Sequence, residues 1–187
     1  MIDKSGTAVH NSTLVSPAVM TRIAWIAGFA ALTAIGAQVE IPHAPVPYTL
    51  QTLAVLLAGA TLGRKDGALS LLAYLGAGMA GLPVFAHFSF GIATLIGPTG
   101  GYLMGFPIAA FVVGYVLRER RDFVRCLIAM TLGLFIIFSL GTIHLNFVYT
   151  HNLPDAISGG FLIFSLWDVA KLVIAAGIAS MMGKGTK

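Results

Sequence analysis

The chain has 187 residues, 57% of them hydrophobic and only 10% charged, with a mean hydropathy of +0.90 and a formal net charge of +4. One water-soluble core cannot hide that much apolar side chain, so composition excludes an ordinary soluble domain and points to an all-α integral membrane protein. In such a chain the small basic excess reads as a topology signal, with no nucleic-acid site implied; a single cysteine, Cys126, rules out an internal disulfide, and the scattered histidines lack metal-ligand spacing.

Residues 1–17 are polar and lack the pattern of a secretory signal. They are expected to form a disordered tail ahead of a single membrane domain, 18–187. Six spans are the economical reading of that domain: about 20–38, 47–62, 67–82, 99–117, 125–147 and 162–182. The second and third are short for a crossing helix, which needs about 20 residues. Along the first span Ala27, Ala30, Ala31 and Ala34 recur at i, i+3, i+4 and i+7, giving two overlapping AxxxA pairs. A small-residue stripe lets another helix approach closely, either from within the chain or from a second membrane subunit.

The segment EIPHAPVPYTLQT leads into the second span. Thr49 there is a candidate helix cap, and Gln51, an amide just inside an apolar helix, needs a polar partner or a ligand. The turn GRKD joins spans two and three. The next connection, GLPVFAHFSFGIATLIGPTGGY, is apolar yet broken by Gly and Pro, so it is expected to pack on protein or line a cavity. Phe85, Phe88 and Phe90 are read as a mixture of packing residues and floor or lid for an apolar ring. Ser89 is either a loop hydroxyl or a ligand contact. GPTGGY, ending at Tyr102, is a tight turn without the Lys of a phosphate loop.

Every Lys and Arg except Lys171 falls in alternate connections: Lys4 and Arg22, then Arg64 and Lys65, then Arg118, Arg120, Arg121 and Arg125, then Lys184 and Lys187. The positive-inside rule places those connections and both termini in the cytoplasm. Lys171 and Asp168 then sit near the outer end of the last span, three residues apart and therefore on one helix face. Charge in hydrocarbon is costly and usually functional. The pair reads either as a structural ion pair or as the polar end of a pocket enclosed by spans two and six and the Gly/Pro-broken connection. No catalytic constellation, ATP-binding motif or metal cluster accompanies it.

The segment VPYTLQTLAVLLAGATLGRKDGALSLLAYLGAGMAGLPVF, followed by LIGPTGGYLMGF and the final DxxK at Asp168 and Lys171, resembles the BioY family of biotin-binding S components of energy-coupling factor (ECF) transporters. The likeness runs from near Ala30 almost to the C-terminus and is weakest over 120–160. Ser165, Leu166 and Trp167 depart from the family's Pro-Gly-containing lead-in. Ser89 stands where some members have Asn, and Leu103 where some have Arg, which leaves backbone N–H groups around Gly100 and Gly101, or water, as candidates for a ligand carboxylate.

The resemblance implies an ECF S-component-like bundle of six transmembrane helices in a bacterial cytoplasmic membrane. It implies a substrate-binding subunit without cofactor and without enzymatic activity. Its partners would be biotin, an EcfT-type coupling subunit, ABC-type ATPases and membrane lipid, with a homo-oligomer as a further option. The implied head-group contacts are Asp168, Lys171, Ser89 and Gln51, with Thr49, Phe85 and Tyr102 completing the expected ligand-binding set. The implied docking face for the coupling subunit is Ala30 with Ala34, or in the other register Ala27 with Ala31. An S component for another vitamin, or a ligand-free membrane scaffold, are the rival readings.

Overall fold

The computed structural model describes residues 16–161 and 166–183. The expected tail up to Val15, the lead-in residue Ser165 and the bases Lys4, Lys184 and Lys187 lie outside the described residues. The first helix, α1, covers Pro17–Gln38. It starts where proline's fixed φ suits a first helical residue, and the Ser16 hydroxyl accepts from the Val19 N–H at 3.4 Å. A two-residue antiparallel pair follows, β1 (Glu40–Ile41) with β2 (Tyr48–Thr49), Glu40 opposite Thr49.

α2 (Gln51–Met79) holds the expected second and third spans. It is broken at Gly63, whose φ of 78° and ψ of 179° belong to a region open essentially to glycine alone. The break is a reversal. In a continuous helix Gly59 and Gly67 would stand about 12 Å apart, yet a Cβ on Gly67 would meet Gly59 Cα at 2.9 Å. The polar GRKD turn is thus reduced to one residue, and two short antiparallel half-helices result. Three further elements, α3 (Ile92–Ile96), α4 (Gly100–Val116) and α5 (Phe123–Leu145), complete the middle of the chain. A π turn (Asn146–Thr150), the short α6 (Leu153–Ala156) and a second π turn (Ile157–Phe161) lead toward α7 (Leu166–Gly183). Counting α2 as two, the long helices match the six expected spans. By length and apolarity alone, only Pro17–Gln38 and Phe123–Thr150 among the described residues qualify as crossing helices; the α2 halves and Gly100–Val116 are shorter.

The core lies between α2, α4, α5 and α7, where Leu56, Leu71, Val113, Met130, Ile137 and Ala176 are buried. Missing side chains let these helices touch backbone to backbone: a Cβ on Gly59 would run into the Ala110 carbonyl, and one on Gly114 into the Arg64 backbone. α1 packs more loosely, burying Phe29, Thr33, Gly36 and Ala37. Its other face exposes Val19, Met20, Ile23, Trp25, Leu32 and Ile35, and α5 exposes Val124, Ile128, Leu132 and Phe135. Apolar surface this continuous belongs against lipid or another membrane helix.

At the end of the bundle that carries the basic connections, the surface is held by charge. Arg22 grips Asp66 through two bonds of 2.8 and 2.6 Å, fastening α1 to the α2 reversal. Arg118 bonds Glu119, and with Arg125 nearby it holds that carboxyl below its usual range. The Asp122 carboxylate caps α5 by accepting from the Arg125 N–H at 3.1 Å.

A Gly63→Ala substitution is expected to destabilise the fold by about 1–3 kcal/mol, because alanine must adopt a glycine-only conformation. Gly28, by contrast, is helical with nothing within 4 Å of an added Cβ. Gly28→Ala should leave the detergent melting temperature unchanged or slightly raised. Equal effects of the two substitutions in thermal unfolding would contradict this account of the reversal.

Candidate functional site

The structure places Asp168 in the first turn of α7, where the helix dipole favours a carboxylate, and Lys171 one turn further along. Their side chains are 3% and 4% exposed and form an ion pair of 2.6 Å. Lys171 Nζ also donates to the Thr49 carbonyl at 2.9 Å and to Thr52 Oγ1 at 2.7 Å. An ammonium has three protons, and here each has a protein acceptor. Lys171 therefore ties α7 to the β2–α2 junction.

That junction is built locally. The Leu50 N–H donates to the Gly36 carbonyl at 3.0 Å, fixing the start of α2 against the end of α1. Thr49 Oγ1 accepts from the Gln51 N–H at 3.3 Å, a capping role close to the one expected for it. Gln51 is buried as the first residue of α2, and its Oε1 is the acceptor for the Tyr74 hydroxyl at 3.4 Å.

Across from α7, the connection 80–91 folds back on α2. Phe85 is 1% exposed and meets Tyr74 edge to face, with ring centroids 5.4 Å apart. Its ring fills the space that a side chain at Gly78 would occupy. Ser89 closes a tight turn, donating from Oγ to the Ala86 carbonyl at 2.7 Å while its own carbonyl accepts from the Phe85 N–H at 3.1 Å. Tyr102, on the first turn of α4, donates to the Gly160 carbonyl at 2.9 Å and stands edge-on to Phe138.

These residues enclose a cavity of about 270 Å³ at the end of the bundle opposite the basic connections. All seven expected ligand residues, Asp168, Lys171, Ser89, Gln51, Thr49, Phe85 and Tyr102, line it. One expectation fails. Phe88 and Phe90 are 66% and 57% exposed and do not line the cavity, so neither is its floor or lid. The Gly100 N–H donates to the Gly97 carbonyl at 3.0 Å, and both Gly100 and Gly101 are buried beneath His144, away from the cavity. The Gly100 N–H is therefore already engaged within the chain.

Sequence reasoning missed several lining residues. Thr52, the second residue of α2, reads from the sequence as ordinary helix-start polarity beside Thr49 and Gln51. Phe106, Ile137 and Phe138 come from the middle of apolar spans, where nothing in the sequence separates pocket from core. His43, in the β1–β2 connection, and His87 are exposed and mark the cavity mouth. The chemistry of the cavity is that of a small amphipathic ligand: one acid–base pair, the Gln51 amide and several hydroxyls, among them Thr49, Thr52, Ser89 and Tyr102, set among apolar side chains.

On α1, Ala27 and Ala31 are exposed, whereas Ala30 and Ala34 are partly buried and pack against the core. The small-residue face open to another helix is thus Ala27 with Ala31. The register preferred from the resemblance, Ala30 with Ala34, is turned partly toward α2.

The BioY family profile matches residues 8–187. The biotin transporter BioY of Thermotoga maritima is 46% identical over 156 residues, covering 83% of this chain and 92% of that protein. The probable biotin transporter BioY of Pyrococcus horikoshii is 42% identical over 164 residues, covering 88% and 97%. The crystal structure of the S-component for biotin from an ECF-type ABC transporter superposes with a TM-score of 0.83 at 27% identity, covering 91% of this chain and 95% of that one. A membrane bundle with one amphipathic cavity, a family profile spanning almost the whole chain, and close relatives matched nearly end to end leave one conclusion: this chain belongs to the BioY family.

Proposed function

We propose that the chain is a biotin-capturing membrane subunit, a substrate-binding transport component without enzymatic activity, that takes biotin from outside the cell and delivers it with ATP-driven partners. The observation that carries this reading is the buried Asp168–Lys171 pair in the wall of an otherwise apolar cavity, in a chain whose relatives are named biotin transporters. Biotin's ureido group offers two N–H donors and a carbonyl, and its thiophane ring is apolar. Asp168 accepts from the ureido N–H groups. Lys171, with its three protons already engaged, chiefly holds that carboxylate in place. It reaches the ureido carbonyl only by releasing Thr49 or Thr52. Gln51 and Ser89 supply the remaining polar contacts, and Thr49, Phe85 and Tyr102 the wall.

The basic connections face the cytoplasm in this reading, so the chain from the Ser16 cap and Pro17 onward, two residues earlier than expected, forms one domain in a bacterial inner membrane with both termini inside. Support comes from the segregation of Arg22, Arg64, Lys65, Arg118, Arg120, Arg121 and Arg125 to the end of the bundle away from the cavity. The partner surface is the exposed Ala27–Ala31 face of α1, shaped to admit a helix of an EcfT-type coupling subunit that acts with ABC-type ATPases.

Loss of a charge-assisted hydrogen bond costs about 1.5–3 kcal/mol, so Asp168→Asn should weaken biotin binding at least about tenfold in a titration of the purified protein. Because that change leaves Lys171 buried without its counter-charge, the double variant Asp168→Asn/Lys171→Met serves as the folded control and should also fail to bind. Wild-type affinity in either variant would sink the assignment.

For the partner surface, Ala31→Trp is expected to abolish co-purification with a coupling subunit while the isolated variant still binds biotin normally. Unimpaired assembly would move the docking face elsewhere.

A further inference from the structure

The segment that carries Phe85, His87 and Ser89 into the cavity wall holds two consecutive non-glycine residues in the left-handed region, His87 at φ 56° and Phe88 at φ 54°. Such residues are costly for L-amino acids and persist only where surrounding contacts over-determine them. One side chain supplies much of that determination. Gln38, the last residue of α1, donates from Nε2 to the Phe85 carbonyl at 3.0 Å and accepts on Oε1 from the Phe88 N–H at 3.1 Å. It thus grips both ends of the strained turn with the two ends of one amide. Two residues on, Glu40 pairs with the His87 ring and holds the same turn from the outside. Gln38 does not itself line the cavity. Its effect on a ligand passes through the backbone at 85–88.

We propose that Gln38 is a positioning residue for the ligand pocket: its side-chain amide clamps the left-handed turn 85–88 so that Phe85 and Ser89 face the bound ligand. The proposal rests on the biotin-binding reading for its functional consequence and on the turn alone for its structural one. A neutral hydrogen bond contributes modestly in net terms, and two are lost together when Gln38 becomes leucine. Biotin dissociation should therefore accelerate at least about fivefold.

The test uses the full chain in detergent and measures biotin dissociation, melting temperature and amide hydrogen exchange for three substitutions. Gln38→Leu removes both bonds to the turn at similar volume, together with a longer one from Nε2 to the Ala34 carbonyl within α1. Gln38→Glu keeps an acceptor for the Phe88 N–H but removes the donor to Phe85, and guards against misfolding of the first. Thr33→Val, on the same helix, deletes a buried hydroxyl that bonds the Phe29 carbonyl within α1, so it reports a purely structural defect. Faster biotin release with exchange raised only over residues 85–91 is expected for Gln38→Leu, with a smaller effect for Gln38→Glu and unchanged release for Thr33→Val. Unchanged release in both Gln38 variants overturns the proposal, as does a rise in exchange spread through the core. If the wild-type protein fails to bind biotin at all, the functional reading falls by itself. The exchange pattern then decides the clamp: protection lost only at 85–91 upholds it, and unaltered protection there removes it.

Discussion

The interaction on which the rest of the structure hangs is the ammonium of Lys171. A charge this deeply buried is tolerable only if every proton has an acceptor, and its three acceptors come from different elements: the α7 carboxylate of Asp168, the Thr49 carbonyl and the Thr52 hydroxyl. α7 must therefore pack beside the start of α2. The start of α2 is itself held to the end of α1 by the bond from Leu50 to Gly36. α7, β2 and α2 meet at one cation, with α1 tied to them through Leu50, and the cavity opens beside that junction.

Enclosing that cavity requires the chain to turn sharply in little space. The reversal at Gly63 lets two short half-helices stand side by side in place of two full crossings, and the close approaches at Gly59 and Gly114 bring α2 against α4 with no side chain between. In lipid this close backbone packing takes over much of the role that apolar burial plays in water. The same economy recurs at the pocket, where the absence of a side chain at Gly78 admits the Phe85 ring and so sets one wall.

α1 stands apart from this core. Its cavity end is tied in by Gly36, Gln38 and the Glu40–His87 pair, while its other surface is left to lipid or partner. A helix that touches the cavity wall at one end and presents a small-residue face along its length joins those two features in one element.

Legible in the sequence by itself were the membrane class, a helix order consistent with six spans, the segregation of basic residues and the placing of Asp168 and Lys171 on one helix face. Each is a property of composition or of spacing along one helix, and helical periodicity makes both readable in one dimension. It also marked Thr49, Gln51, Ser89 and Phe85, because polar or aromatic residues at apolar-segment ends must find partners. Only the tertiary structure decided that Thr49 and Thr52 complete the coordination of Lys171, that Phe138 is wall while Phe88 is surface, and that Ala27 with Ala31, not Ala30 with Ala34, forms the open face of α1. Those distinctions depend on how helices are rotated against one another. An apolar residue carries the same hydropathy whether it faces a cavity, a core or lipid, so its role is fixed only when the neighbouring helix is in place.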